Sequence, residues 1–536
     1  MNRIRTASAI LLAGLLASAN LVAQTNADRG AFILVQHGDT VAIERFARTA
    51  DSVAADLVVK AQGRIVYVGK IAPDFTFSRM TLQFYLPSAA ADAPPVQTAV
   101  LTMKGDSVIA EIGAGAQKQT QRLKTVAGAV MLPRSTTAAF EQLTMMLRAH
   151  KPPLGPADSM TVPIFATSGG ATVNVSLRPL GRDSVIASAG GQVYRLAVDA
   201  SGRILGGVEP TASLSISRVD AATAAKLSLG KPDYSAPADA PYVAEEVTIP
   251  ISAGVLGGTL TLPRNAKSKV PAVVTITGSG QQDRDEYIPV AGGYRPFRQI
   301  ADTLSRRGIA VLRLDDRGIG ASTASPMTST SADFADDIRA AIAYLRTRSD
   351  IDPARIALIG HSEGGLIAPM VAATDKRLKG IALMAGPADN GRTIIRYQQR
   401  YAVEHDTTLT PAKRDSLLRV GQAQLDSLAD RNPWTKFFLT YDPVATARKV
   451  TVPVLILQGA NDRQVTADQA PRLAAAFRAG GNRDVTVHVF PNRNHLFLTD
   501  PDGNPQGYAR LTVNKIDGEV MGALADWLVK RLGVSG

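Results

Sequence analysis

The C-terminal half of the sequence contains short apolar runs that alternate with helix-like stretches. Runs that are apolar on both faces are typical of parallel strands covered by helices on each side of a sheet. Residues 294–307, and a stretch that begins near Ser331, carry apolar side chains at helical spacing. The alternation predicts a doubly wound, mostly parallel α/β sheet. The apolar runs are Val270–Ile276, Ile309–Leu314, Ile356–Ile359, Ile381–Met384, Val452–Leu457 and Val485–Phe490.

The third apolar run leads directly into Gly360-His-Ser-Glu-Gly364, which a helix of small residues follows. A serine on a sharp strand-to-helix turn needs glycine two residues before and two residues after it, because side chains there would collide with the neighbouring strand and helix. The serine hydroxyl then projects above the sheet. This context predicts that Ser362 is a catalytic nucleophile and not part of a purely structural turn.

A serine alcohol needs a general base, and the sequence offers only six histidines. His495 comes just after the last apolar run, in a loop from which an imidazole can reach a nucleophile. His488 lies within that run and is predicted to be a packed residue. His361 is predicted to shape the turn and to point away from the serine proton. The sequence therefore predicts His495 as the base.

The carboxylate that orients the base is predicted to be Asp462, which follows the strand at Val452–Leu457. Ligand-facing loops gather at the carboxyl ends of strands in open α/β sheets. Asp468 has the position of an early helix residue, Asp484 precedes its strand, and Asp500 belongs to the polar loop after His495. The order serine, aspartate, histidine is the one expected on this fold.

Two backbone N–H groups are needed to stabilise the oxyanion that develops on the substrate. The first is predicted to be the N–H of Glu363, directly after the nucleophile. The second is assigned to Ser279 in the glycine-rich loop after the first apolar run, with Gln281 as the alternative and a simple turn as the competing interpretation. Asp315 and Arg317 are predicted to brace neighbouring loops without taking part in the reaction.

The chain begins with a pattern typical of a secretory signal peptide. Two basic residues precede an apolar run and then small residues, which predicts a signal peptide at 1–23. The mature protein is therefore expected to be exported, to the periplasm or the extracellular space, with no integral membrane segment.

Short alternating runs broken by glycine, aspartate and proline predict an antiparallel β-rich domain at 24–229. A linker rich in proline and alanine is assigned to 230–242, and the catalytic domain to 243–536. Within the catalytic domain, residues 390–442 lack strand signals. They are predicted to form a helical cap insertion, with a long surface excursion as the alternative. The cap aromatics expected to line a substrate pocket are Tyr397, Tyr401, Trp434, Phe437 and Phe438.

Composition excludes several classes of function. The absence of cysteine rules out disulfides, a thiol nucleophile and a cysteine-ligated metal. The formal net charge is +12, but the sequence has no dense run of lysine and arginine, so the charge is interpreted as a solvated surface. A nucleic-acid site is therefore not expected.

These motifs resemble the α/β-hydrolase superfamily over residues 243–534. The resemblance is carried by the motif at 360–364, by Asp-Asp-Arg-Gly-Ile-Gly-Ala-Ser at 315–322, by Gln-Gly-Ala-Asn-Asp at 458–462 and by His495. The loop at 277–286 resembles that of exported bacterial carboxylesterases, in which a β-rich region precedes the catalytic domain. One departure is Thr277, where many relatives carry histidine.

The resemblance implies a serine hydrolase that acts on a small ester and needs neither a metal nor an organic cofactor. Two other functions stay open, an exported serine peptidase or amidase with the same triad and a non-enzymatic binding protein. The sequence also leaves open the natural ester, its acyl-chain length, and whether the N-terminal half binds substrate, shields the site or forms a homodimer.

Overall fold

The structure is a computed structural model that describes residues 27–534, apart from residues 61, 88–92, 115–116, 135, 168–169, 190–191, 231, 265, 327, 407–408 and 431. The chain divides into two compact units, Met1–Lys231 and Pro232–Gly536. The predicted signal peptide at 1–23 lies outside the described residues.

The N-terminal unit is built on one sheet of fifteen strands. Its strands are β1 (Asp28–Gln36), β2 (Asp39–Arg48), β3 (Ser52–Val59), β4 (Gly63–Ile71), β5 (Phe77–Tyr85), β6 (Gln97–Lys104), β7 (Ser107–Ala114), β8 (Gln117–Lys124), β9 (Val130–Leu132), β10 (Met160–Ala166), β11 (Ala171–Pro179), β12 (Ser184–Ala189), β13 (Gln192–Val198), β14 (Ile204–Glu209) and β15 (Leu214–Asp220). Sequential strands pair antiparallel through most of the sheet, and β1 joins the two halves by pairing with β15. Strands β9 and β10 pair in parallel. The predicted β-rich domain is confirmed.

Alternation of side chains explains these strands. In β3, every second residue from Val53 to Leu57 is buried, as expected for a strand with one face on a core. Strands β6 and β7 form a hairpin, with Gly105 at a positive φ of 60° in the turn. The described part of the unit also contains two helices, α1 (Thr137–Ala149) and α2 (Ala221–Lys226).

Charged side chains are buried in the core beside α1. Arg48 and Arg218 both pair with Glu141, at 2.9 and 2.7 Å. Glu44 is fully buried and accepts hydrogen bonds from the Tyr67 hydroxyl at 2.7 Å and from the first backbone N–H groups of α1. A carboxylate at a helix N-terminus interacts favourably with the helix dipole. Burial nevertheless raises the pKa of Glu44 to about 7.

This raised pKa predicts a pH-dependent stability for the N-terminal unit. The pKa of Glu44 rises from 4.5 to about 7 on folding. The contribution of the neutral Glu44 carboxyl to the free energy of unfolding is therefore complete below pH 4.5 and is lost as the pH rises to about 7. The loss is on the order of 3 kcal/mol. Glu44→Gln keeps a hydrogen-bond acceptor but does not ionise, so its stability relative to the wild type should increase from pH 5 to pH 8.

Differential scanning calorimetry of the full chain at both pH values measures this change. Glu111→Gln, at an exposed position of β7, is the matched control and should behave like the wild type. An equal difference between Glu44→Gln and the wild type at pH 5 and pH 8 would contradict the prediction.

The C-terminal unit is built on an eight-stranded sheet. Its strands are β16 (Tyr242–Ile251), β17 (Gly254–Pro263), β18 (Val270–Ile276), β19 (Ala310–Leu314), β20 (Ile351–His361), β21 (Gly380–Met384), β22 (Val454–Gly459) and β23 (Val485–Phe490). Their order is β16-β17-β19-β18-β20-β21-β22-β23. Strand β17 pairs antiparallel with β16 and β19, and the other neighbours pair in parallel. The predicted mostly parallel sheet is confirmed, and the carboxyl ends of β18 to β23 lie along one edge.

Helices cover both faces of this sheet. Along β18, Ala272 and Val274 pack into one buried cluster with helices α4, α5 and α10, whereas Val273 packs into another with α3 and α11. The helices are α3 (Pro296–Arg306), α4 (Ser331–Thr347), α5 (Gly364–Ala372), α6 (Gly391–Glu404), α7 (Pro411–Ala429), α8 (Pro433–Thr440), α9 (Pro443–Ala447), α10 (Gln469–Ala479) and α11 (Gly518–Leu532), with 3₁₀ turns at Pro289–Ala291 and Pro505–Arg510. No helix in the described ranges is both long enough and apolar enough to cross a bilayer.

Helices α6, α7 and α8 form the predicted helical cap insertion between β21 and β22. Side chains of Asn390, Thr410 and Asn432 cap their N-termini. Pro411 and Pro433 occupy the first helical position of α7 and α8, where a missing N–H costs nothing.

Candidate active site

Ser362 lies on a tight turn between β20 and α5. Its φ of 53° is in the left-handed region, which is unusual for a residue other than glycine and is typical of strained functional sites. A Cβ on Gly360 would lie 2.1 Å from the Gly364 carbonyl oxygen, and a Cβ on Gly364 would lie 2.1 Å from the Ile276 carbonyl oxygen. Both glycines are therefore required by close backbone contacts.

We expect Gly364→Ala to destabilise the C-terminal unit because backbone atoms cannot move away as a flexible side chain can. The cost should be roughly 1–3 kcal/mol or more. The matched control is Gly522→Ala in α11, where an added Cβ has no neighbour within 4 Å. That change should stabilise the protein by roughly 0.5–1 kcal/mol because alanine favours the helix. Thermal unfolding measures both variants, and equal effects would contradict the prediction.

His495 and Asp462 form a short hydrogen bond beyond β23 and β22. The His495 Nδ1 lies 2.7 Å from Asp462 Oδ2, and both residues are buried. The other oxygen, Asp462 Oδ1, accepts the backbone N–H groups of Gln464 at 2.7 Å and Val465 at 2.9 Å. These bonds fix the carboxylate, so that it can accept a hydrogen bond from Nδ1–H and leave Nε2 as the basic nitrogen.

The alternative acids and bases occupy other environments. Asp468 is exposed at the start of α10 and pairs with Arg472, and Asp484 pairs with Arg531. Asp500 accepts a hydrogen bond from Asn494 at 3.0 Å and so holds the loop of His495 from the opposite side. His488 was expected to be packed, but it is exposed because β23 is the edge strand of the sheet.

His361, the residue that precedes the serine, contacts His495. The His361 and His495 rings lie 5.0 Å apart between centroids, and His361 Nε2 lies 3.0 Å from the His495 carbonyl oxygen. Within the described residues, no hydrogen bond joins the Ser362 hydroxyl to His495 Nε2. Such catalytic hydrogen bonds are frequently long in unliganded enzymes and shorten when substrate binds.

The first predicted oxyanion donor adjoins the nucleophile in sequence, whereas the second belongs to a loop that lies against the nucleophile in space. Glu363 occupies the N-cap position of α5, directly after Ser362. A Cβ on Gly278 would lie 3.2 Å from the Ser362 Cβ, which places the glycine-rich loop against the serine. The Gly278 N–H donates to Glu286 at 2.8 Å and is therefore occupied. Ser279, the next residue, is exposed at the surface of the site.

Two acids, the half-buried Asp316 and the buried Glu363, line a cavity of about 50 Å³ beside this loop. Asp316 accepts a hydrogen bond from Thr277 at 2.7 Å. Burial raises the pKa of Asp316 well above its ordinary value, against the effect of this hydrogen bond. Burial also raises the pKa of Glu363, which lines the same cavity. The sequence signal for Asp316 lay within the motif at 315–322, but its burial depends on the fold.

Asp315 and Arg317 brace loops, in line with their predicted structural role. Asp315 accepts hydrogen bonds from the Arg284 side chain and from its backbone N–H, and Arg284 is buried. Arg317 makes a bidentate pair with Asp337, with both distances at 2.7 Å.

The cap contacts the residue after the nucleophile. The Trp434 indole N–H donates to Glu363 Oε1 at 2.8 Å, and the Ser331 hydroxyl donates to the same oxygen at 2.6 Å. Trp434 also stacks on Phe438, with ring centroids 5.0 Å apart. Phe438 is buried in the core, so it supports the cap and is not a pocket residue as the sequence suggested. Among the other predicted aromatics, the rings of Tyr397 and Tyr401 lie 6.1 Å apart between centroids in a tilted arrangement.

Comparisons with known proteins agree with this fold. Residues 291–502 match the family described as serine aminopeptidase, S33. The esterase EstD of Thermotoga maritima is 29% identical over 309 residues, which cover 56% of this chain and 70% of EstD. Dipeptidyl aminopeptidase BIII of Pseudoxanthomonas mexicana is 27% identical over 259 residues, which cover 46% of this chain and 34% of that protein.

A solved structure of an esterase from Pyrococcus furiosus is also similar, with 17% identity and a TM-score of 0.39, covering 56% of this chain and 95% of the esterase. The strand order, the turn that carries Ser362 and the sequence matches are consistent with one another. The C-terminal unit of this chain, which follows an antiparallel β-rich domain, therefore has the α/β-hydrolase fold, and its sequence is similar to that of hydrolases.

Proposed function

We propose that this protein hydrolyses small carboxylic esters through an acyl-enzyme on Ser362. The observation that carries the proposal is the 2.7 Å hydrogen bond between His495 Nδ1 and Asp462 Oδ2, at the sheet edge that also bears Ser362 on its strained turn. A histidine held in this way keeps Nε2 free to accept a proton. The similarity to EstD, an esterase, supports an ester as the substrate.

In the proposed mechanism, Ser362 Oγ attacks the ester carbonyl carbon while its proton passes to His495 Nε2. The carbonyl oxygen becomes an oxyanion, which accepts hydrogen bonds from the N–H groups of Glu363 and Ser279. When the tetrahedral intermediate collapses, the bond to the alkoxy oxygen breaks and His495 protonates the leaving alcohol. Asp462 stabilises the imidazolium form throughout.

Deacylation repeats these steps with water as the nucleophile. His495 takes a proton from the water, the hydroxyl adds to the acyl carbon, and the bond to Ser362 Oγ breaks as the serine regains its proton. The products are a carboxylic acid and the free enzyme. Water is the only co-substrate, and no step consumes an oxidant or a reductant.

Labelling with a fluorophosphonate tests the proposal without knowledge of the natural ester. The reagent should react with the wild-type protein, and peptide mass spectrometry should locate the adduct on Ser362. The labelled protein should also lose its activity on p-nitrophenyl acetate in proportion to the label. A protein that hydrolyses the ester but carries the adduct on another residue would contradict the assignment.

Amide hydrolysis by the same triad is the second candidate. It is favoured by the match to the family described as serine aminopeptidase and by the similarity to a dipeptidyl aminopeptidase. Aminoacyl p-nitroanilides distinguish the two functions, because an esterase should turn them over far more slowly than p-nitrophenyl esters. Turnover of anilides but not of esters would assign the protein as a peptidase.

Export is proposed from the basic and apolar pattern at 1–23. N-terminal sequencing of the protein recovered from its native host should show a mature chain that begins after the predicted signal peptide. A chain that retains these residues would contradict this proposal.

A further inference from the structure

A second histidine–carboxylate pair lies beside the proposed triad. His361 Nδ1 lies 2.8 Å from Glu286 Oε1, and His361 Nε2 lies 3.0 Å from the His495 carbonyl oxygen. A carbonyl oxygen can only accept, so Nε2 must carry a proton. Both ring nitrogens of His361 are therefore engaged, whereas His495 uses only Nδ1. This difference excludes His361 as the general base.

The Glu286 carboxylate also holds the loop of the proposed oxyanion donor. The same atom, Oε1, accepts the backbone N–H of Gly278 at 2.8 Å. A Cβ on Gly278 would lie 3.2 Å from the Cβ of Ser362, and the next residue, Ser279, is the proposed donor. One carboxylate oxygen thus connects the oxyanion loop to His361. His361 in turn is hydrogen-bonded to the backbone of His495.

The pair is buried, and its acid is strained and incompletely hydrogen-bonded. Glu286 has no exposed surface, and His361 is 6% exposed. Glu286 has a positive φ of 56°, and its second oxygen, Oε2, has no hydrogen-bond partner among the described residues. Burial opposes the charged form of His361, but the Glu286 carboxylate outweighs it and raises the pKa of the imidazole. A strained and incompletely paired buried acid is a feature of functional sites.

We propose that Glu286 and His361 form a positioning dyad, which fixes the loop at 277–281 and the loop at 491–497 relative to Ser362. This inference rests on the proposed function, because it assigns the dyad a role in the same reaction. Neither residue contacts the reacting atoms. The dyad acts through the Gly278 N–H on one side and the His495 carbonyl on the other, so it should affect the chemical step more than substrate affinity.

The variant Glu286→Gln separates this role from simple space filling. It has nearly the same volume, but a side-chain amide cannot replace the carboxylate fully. If the amide oxygen accepted both the Gly278 N–H and the His361 Nδ1–H, the imidazole would carry protons on both nitrogens and would be charged. A neutral amide does not stabilise that charge as a carboxylate does. Turning the amide nitrogen towards His361 would leave only one of the two bonds intact. The variant therefore uncouples the two loops without creating a cavity.

The experiment measures kcat and KM for p-nitrophenyl acetate with Glu286→Gln, His361→Ala and the double variant. We expect kcat to fall by about tenfold or more in each single variant, with KM changed by no more than about twofold, because small displacements of catalytic groups lower rates strongly. The double variant should be no slower than His361→Ala, because two residues that act as one unit have non-additive effects.

Tyr294→Phe is the matched control. The Tyr294 hydroxyl donates to the Leu496 carbonyl oxygen at 2.9 Å, so this variant removes one hydrogen bond from the same loop without disturbing the dyad. Its kcat should stay within about threefold of the wild type, since one neutral hydrogen bond contributes little. Calorimetry of each variant confirms that the fold is retained, and Glu286→Gln keeps the test valid if His361→Ala fails to fold.

Several results would overturn the inference. They are a wild-type kcat in Glu286→Gln, losses that multiply in the double variant, a change confined to KM, or an equal loss in Tyr294→Phe. Each of these is measured against a wild-type protein that hydrolyses the ester and is labelled at Ser362, so the proposed function would stand. A wild-type protein that neither turns over the ester nor reacts with a fluorophosphonate would overturn the proposed function and this inference together.

Discussion

Replacing Ser362 with alanine is expected to lower kcat/KM for a p-nitrophenyl ester by on the order of 10⁴-fold or more. The variant removes the only atom that forms the covalent bond to the substrate in the proposed mechanism. The N–H groups that stabilise the oxyanion are backbone groups, so they remain and support a small residual rate. A continuous absorbance assay with highly purified variant measures the loss.

The fold of this variant should be unchanged, because alanine and serine meet the same strain at a φ of 53°. Ser362→Gly provides a matched control for that strain. It should be as inactive as the alanine variant but more stable by on the order of 1 kcal/mol, because glycine adopts positive φ without steric cost. Unchanged turnover in either variant would show that Ser362 is not the nucleophile.

Replacing Asp462 with asparagine is expected to lower kcat by on the order of 10⁴-fold while leaving the fold intact. The amide oxygen of the variant can still accept the N–H groups of Gln464 and Val465, which Asp462 Oδ1 accepts at 2.7 and 2.9 Å. Its amide nitrogen then faces His495 Nδ1 and donates to it. The proton of His495 moves to Nε2, the imidazole can no longer accept the serine proton, and the base is lost.

Asp500→Asn is the matched control, since Asp500 is also buried and lies near His495 in sequence. Asp500 bonds to Asn494 and to backbone N–H groups, and its carboxylate is hydrogen-bonded to no imidazole among the described residues, so its variant should lose less than about tenfold in kcat. Steady-state kinetics of both variants distinguishes the two acids. A larger loss in Asp500→Asn than in Asp462→Asn would contradict the assignment of the orienting carboxylate.

The proposed triad was accessible from sequence because each member follows an apolar run. In a parallel sheet the carboxyl ends of such runs meet along one edge, so position in the chain translates directly into position in space. The structure places His495 against Asp462 in this way. Ser362 carried an additional local signal, since only a tight strand-to-helix turn requires glycine at both 360 and 364.

The contact between Glu286 and His361 could not be predicted, because the two residues are 75 positions apart and no spacing pattern relates one to the other. The contact between Trp434 and Glu363 was missed for the same reason. Both contacts depend on how loops from different strands fold over the sheet edge. A hydrogen bond between side chains that are distant in sequence leaves no periodic signal.

The fold was predictable where local patterns determine it. Alternation identified the β-rich N-terminal domain, but strand order did not follow from it, because the pairing of β1 with β15 joins segments far apart in the chain. The sequence also did not indicate which strands lie at the edge of the sheet. His488 sits in an apolar run that resembles a covered strand, yet β23 has a neighbour on one side only, which leaves the imidazole exposed.

Trapping the acyl-enzyme tests the central claim most directly. Wild-type protein is mixed with a p-nitrophenyl ester, quenched in acid within the first turnovers and digested for peptide mass spectrometry. The account predicts an acyl group on the peptide that contains Ser362, located on the serine oxygen by fragmentation. Ester turnover with water as the direct nucleophile, and no acyl group on Ser362 at any quench time, would contradict it.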